Sequence, residues 1–142
     1  MNTLEQKMVF ILKSLRSNFD VTEVKMEFEA EATRMNEAMR LKEIADRAGV
    51  GLVVKIGGAE AITDMFNALL LGATGIVAPM IESQFAMLKY TQAIEKHVPA
   101  DVQKSTFFGF NLETFLAYQN LDSILETAGF EKISTLTLGR VD

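Results

Sequence analysis

With 142 residues, 49% of them apolar and 23% charged, the chain can bury one core of its own and has ordinary globular composition, not that of a disordered segment. Its net charge of −5, with 14 basic residues scattered among 19 acidic ones, excludes the clustered Lys/Arg footprint of a nucleic-acid binder. The absence of cysteine excludes disulfides, thiolate metal sites and cysteine nucleophiles, and fits a reducing, cytoplasmic setting.

The opening segment, "MNTLEQKMVFILKSLRSNFD", reads as a helix lying ahead of the first strand. Glu5 and Lys7 precede its apolar run, Lys13 and Arg16 interrupt the next turn, and no small-residue cleavage site follows, so a signal peptide is not expected. No run of eighteen apolar residues occurs anywhere, and no membrane span is predicted. A first strand is predicted over 22–29, "TEVKMEFE". There Val24, Met26 and Phe28 face one way, and Lys25, Glu27 and Glu29 the other. That charged face belongs either to an exposed edge strand or to the wall of a polar barrel mouth. The next helix places Met35, Met39 and Ile44 near one stripe and ends at Gly49.

The second strand, 51–56, carries Lys55 near its end and runs into Gly57-Gly58. That pair is a tight turn needing positive φ or a backbone approach to an anion at a helix start. In the third helix Met65, Phe66, Leu69 and Leu70 form a stripe, closed by Gly72. Strand three, 74–80, is followed by Glu82 and by Ser83, an expected N-cap. Glu82 is thus either a charge suited to the helix dipole or a substrate-binding candidate on the strand-end face. The fourth helix ends at Pro99, with His97, the only histidine, at its C-terminus, where a structural role is expected. Strand four, 105–113, ends on Glu113; a fifth helix closes at Gly129, and strand five, 132–139, ends the pattern.

Helix, glycine, strand, repeated along the chain, means βα units and a parallel sheet. Two folds use such units. One is a (β/α)₈ TIM-type barrel, of which residues 1–142 would supply five units as a single partial domain; the other is a five-stranded doubly wound flavodoxin-like sheet. All five strands end in charged residues, and parallel strands gather those ends on one side, where both folds build their sites. With one histidine and no cysteine, a metal site here requires a hard ion on oxygen ligands, such as Mg²⁺ or Mn²⁺. Glu113 and Asp142, carboxylates at the ends of adjacent strands, suit that role.

Two stretches carry a resemblance: "VVKIGGAEAITDMFNALLLGATGIVAPMIES" and "FNLETFLAYQNLDSIL", followed in order by "LTLGRVD" at the chain end. Together they resemble the HpcH/HpaI aldolase/citrate lyase family from about residue 22 onward. The resemblance implies a barrel of the phosphoenolpyruvate/pyruvate type with Glu113 and Asp142 as ligands of Mg²⁺ or Mn²⁺. It implies that the backbone from Gly139 through Arg140 and Val141 to Asp142 cradles the carboxylate of a small 2-oxo acid. Lys55 stands where the family has an arginine that steadies the developing oxyanion, and Glu27 and Glu29 match the acids of the first strand. Ala30 replaces the family's histidine. Family members are commonly oligomers, and "MVFIL" suits packing on a second copy. Two functions follow: a metal-dependent C–C lyase or aldolase, or a non-catalytic relative or binding subunit that keeps the fold.

Overall fold

The computed structural model describes residues 1–139. Five strands alternate with helices in the order α1 (Thr3–Phe19), β1 (Glu23–Glu27), α2 (Met35–Ala48), β2 (Gly51–Lys55), α3 (Ile62–Leu70), β3 (Gly75–Ala78), α4 (Gln84–His97), α5 (Ala100–Gln103), β4 (Phe107–Leu112), α6 (Phe115–Gln119), α7 (Leu121–Leu125), and β5 (Ile133–Leu138), the last preceded by a 3₁₀ turn at Phe130–Lys132. All five strands are parallel, and their spatial order is their sequence order, β1-β2-β3-β4-β5.

That order decides between the two folds. A doubly wound sheet must reverse direction, placing later strands on the other side of β1 and helices on both faces. Here each strand adds beside its predecessor, and the helix core lies against one face. Its strand side is made by Met26, Leu52, Val54, Ile76, Ala78, Phe108 and Phe110, against Met65, Met87, Tyr90, Ile94 and Ile124 from the helices. The other face is concave and open, lined by Lys25, Val53, Val77, Phe107, Thr135 and Thr137. The doubly wound alternative is therefore excluded, and the sheet is part of a barrel wall.

Alternation does the sorting, since a period of two sends Met26 to the helices and Lys25 and Glu27 to the concave side. Gly75 sits opposite Phe107 in the β3–β4 register, and a Cβ there would run into the Phe107 ring, so the glycine makes room for an aromatic on the inner face. On the outer face, β5 carries Leu136 and Leu138, 41% and 65% exposed.

The helix ends follow local chemistry. Asn2 caps α1, accepting from the Glu5 N–H at 2.9 Å while Glu5 accepts from the Asn2 N–H at 2.6 Å. A second apolar cluster, Val9 with Ile44, Ala45, Ala48 and Val50, holds α1 on α2, and the Glu5–Arg40 ion pair closes its edge. Gly49 closes α2 in the left-handed region at φ 75°, as the sequence leads one to expect.

Some helical expectations need correction. Met39, Phe66 and Leu70 are exposed; the buried stripes are instead Ala38, Ile44, Ala45 and Ala48 in α2, and Met65 with Ala68 in α3. Small residues fill these stripes because the helices lie close against the sheet. The described residues hold seven α-helices rather than five. Pro99 begins the short α5, and the helix expected after β4 breaks at Asn120 into α6 and α7. No described helix is long and apolar enough to cross a membrane.

Candidate functional site

Parallel strands bring their C-terminal ends to one rim of the sheet, and the sequence-predicted residues meet there. Glu27 and Lys55 end β1 and β2 and are partners in register. Their side chains point to the concave side and form an ion pair, Lys55 Nζ to Glu27 Oε2 at 2.9 Å, with the side chains 15% and 17% exposed. Lys25 Nζ lies 4.0 Å from the other Glu27 oxygen. The pairing answers the question posed by the charged face of β1. The strand is an edge of the sheet, yet its charges are built into the inner wall.

Above this pair lies a cavity of about 410 Å³, lined among others by Glu29, Ala30, Lys55, Gly57, Met80 and Glu113. Glu29 comes from the loop after β1 and packs its side chain on Gly57, where a Cβ would sit 2.6 Å from Glu29 Cγ. The Gly57 N–H donates to Asp64 Oδ2 at 2.7 Å, in the first turn of α3. A carboxylate of the protein itself thus occupies the amide that the anion reading needed, and the positive φ expected of Gly57-Gly58 is absent as well: the pair forms a bend, and what requires a glycine at 57 is the close approach of Glu29.

Glu113 follows β4 directly and is fixed from two directions. Asn111 Nδ2 donates to its Oε1 at 2.7 Å, and the Met80 backbone N–H donates to its Oε2 at 3.1 Å. Met80 makes this bond from the left-handed region, at φ 52°. A side chain there carries a backbone strain of about 1–2 kcal/mol. Gly139 passes alongside, its N–H donating to Leu112 O at 3.0 Å; a Cβ on it would lie 2.5 Å from Glu113 Cγ. The glycine is what lets the end of β5 run against the Glu113 side chain. Arg140, Val141 and Asp142 lie outside the described residues.

Glu82 is placed differently. Its Oε1 accepts from Thr114 Oγ at 2.7 Å and its backbone C=O accepts from Asn120 Nδ2 at 2.9 Å. It therefore braces the loop after β3 against the start of α6 and is not among the residues lining the 410 Å³ cavity. Ser83 caps α4 by accepting from the Ala86 N–H at 3.1 Å. His97 ends α4 with its ring edge-on to Phe66 at 5.6 Å, on the side of the sheet away from the site.

The structure adds Asn111 and the Met80 N–H to the site. Asn111 had a sequence signal, since it lies two residues before Glu113 and a strand period of two puts both on one face. The Met80 amide had none, because its direction depends on a local φ.

A hard divalent cation fits the donor chemistry. Mg²⁺ is commonly held by only one or two carboxylates and retains several waters, and Glu113 presents an anchored carboxylate on the site rim. Among the described residues no three acidic or histidine groups converge.

No family model and no curated protein matches the sequence. Among solved structures, the HpcH/HpaI aldolase from Desulfitobacterium hafniense DCB-2 aligns over 92% of this chain with 18% identity and a TM-score of 0.69. The citrate synthase SbnG aligns over 95% with 16% identity and a TM-score of 0.72. An HpcH/HpaI aldolase/citrate lyase family protein from Burkholderia cenocepacia J2315 aligns over 97% with 15% identity and a TM-score of 0.65. The chain spans 57%, 56% and 68% of the lengths of these three. Over its described strands the chain thus has the fold of part of an HpcH/HpaI aldolase/citrate lyase barrel.

Proposed function

We propose that the chain forms part of the barrel of a divalent-metal-dependent C–C lyase or aldolase acting on a small 2-oxo acid. The observation that carries the reading is Glu113, pinned at the end of β4 beside Gly139, in one cavity with Lys55 and Glu29. A Mg²⁺ or Mn²⁺ ion bound through Glu113 and Asp142 would supply Lewis-acid stabilisation of the enolate left by C–C cleavage. The chain's own groups do the rest. The Gly139 N–H is committed to Leu112 O, so the backbone N–H groups that follow it, of Arg140 and Val141, would take the substrate carboxylate. Lys55 donates from Nζ to the developing oxyanion, and Glu27 orients that ammonium through the 2.9 Å ion pair. A point-charge ammonium replaces a bidentate guanidinium here, so the hold on the oxyanion is less directional. Glu29, at the cavity wall where Ala30 offers no imidazole, is the group placed to exchange a proton with substrate or water.

The test is release of pyruvate from 4-hydroxy-2-oxo acids with Mg²⁺ or Mn²⁺ present. Glu113→Ala is expected to abolish it. Activity surviving that change would refute the metal assignment.

Ala30 favours a second reading, a non-catalytic relative that keeps the fold and binds a 2-oxo acid or its mimic. Mn²⁺-dependent oxalate binding in calorimetry, without turnover of any 4-hydroxy-2-oxo acid, would select it. In either case the exposed Phe10 and Ile11 of α1 suit association with a second copy of the chain.

A further inference from the structure

We infer that Asn111 is a positioning residue for Glu113, fixing the orientation of that carboxylate toward a bound cation; this rests on the metal-site reading above. Asn111 is 3% exposed, on the inner face of β4, in a strand otherwise built of Phe, Gly and Leu. Asparagine is poorly suited to strands, and burying its amide is unfavourable unless both ends are bonded. One end is bonded, since Nδ2 donates to Glu113 Oε1 at 2.7 Å. A carboxylate only accepts, so it sets which way the amide faces. The other end, Oδ1, is the one buried side-chain polar atom without a hydrogen-bond partner among the described residues.

An orphaned buried acceptor costs about 1–3 kcal/mol. Leucine at position 111 would fill the space without that penalty. What the asparagine adds is a charge-assisted hydrogen bond to one oxygen of Glu113, opposed by the Met80 N–H on the other oxygen at 3.1 Å. Two donors, one on β4 and one in the loop after β3, stop the carboxylate rotating about its last bond. Its remaining lone pairs then keep a constant direction toward the cavity. The free Oδ1 would be available as an acceptor for a donor brought in with a bound cation.

The experiment measures Mn²⁺ affinity by electron paramagnetic resonance of the free ion, for the unsubstituted protein, Asn111→Leu and Glu113→Gln. Groups that orient a metal ligand typically contribute 10- to 100-fold in metal affinity. Asn111→Leu is therefore expected to bind Mn²⁺ about 10- to 100-fold more weakly, and Glu113→Gln not to bind it measurably. If Glu113→Gln loses binding while Asn111→Leu matches the unsubstituted protein, the positioning role is overturned and the metal site stands. If Glu113→Gln binds as well as the unsubstituted protein, the metal-site reading falls and the inference with it.

Should Asn111→Leu fail to fold, the unsubstituted protein supplies the readout. Its Asn111 side-chain amide resonances are expected to shift on titration with diamagnetic Mg²⁺, with the midpoint of Mg²⁺ binding. Resonances that stay in place at saturating Mg²⁺ would overturn the role.

Discussion

Replacing Lys55 by methionine keeps most of the unbranched side chain and removes its charge, leaving the Glu27 carboxylate on the inner wall with only Lys25 nearby, at 4.0 Å. At the 2.9 Å separation of Lys55 and Glu27, the Coulomb attraction is about 6 kcal/mol for an effective dielectric of 20 and about 1.4 kcal/mol for water. Breaking a fully buried pair costs about 3–5 kcal/mol. These side chains retain 15% and 17% exposure and face an open concavity, so about 2 kcal/mol is expected for Lys55→Met, and a similar loss for Glu27→Gln. The double variant leaves no charge stranded and should be no less stable than either single variant. The coupling energy is then about 2 kcal/mol. Urea unfolding of the four proteins at neutral pH measures it. A coupling below about 0.5 kcal/mol would refute the claim that the two charges form one pair in the barrel wall.

Two further outcomes concern the scaffold. Tyr90 is fully buried, its hydroxyl donating to Ile76 O at 2.9 Å, and burial pushes its phenol well above its ordinary value of 10. A raised folded-state pKa means stability that is complete below pH 10 and lost as pH rises further, approaching about 1.4 kcal/mol per pH unit. Tyr90→Phe should lack that share of the alkaline loss while being about 1 kcal/mol less stable at neutral pH; identical alkaline profiles by urea unfolding would contradict it. At the other end of the scale, the Asn2 backbone N–H and then the Arg40 guanidinium hold the Glu5 carboxyl below its ordinary value of 4.5. The contribution is therefore present above pH 4.5 and lost as pH falls through the lowered value, so α1 should loosen from α2 in acid. Hydrogen exchange of the α1 amides follows this, and Glu5→Gln should show fast exchange already at neutral pH. Equal acid sensitivity in both proteins would count against the Glu5 contact.

The elements themselves were readable from local signals. Strand alternation in "VKMEFE", the Gly49 cap and the Ser83 cap depend on residues within a few positions of one another, and the structure bears all three out. The break at Asn120 escaped that reading because it depends on a bond from Asn120 to Glu82 O, 38 residues away. Exposure of Phe66 and Leu70 escaped it for a related reason, since how closely a helix approaches the sheet decides which part of an apolar stripe is covered.

By itself the sequence determined that this is a βα chain with charged strand ends, because periodicity and capping act over one or two turns. Only the tertiary structure decided that each strand lies beside its predecessor, and hence that the sheet is barrel wall and not doubly wound. It alone decided that Lys55 is tied to Glu27, and that Asn111 and the Met80 amide hold Glu113. Those contacts join residues from 2 to 33 positions apart. The longer of them depend on strand register and on one left-handed φ, which no local pattern of residues specifies.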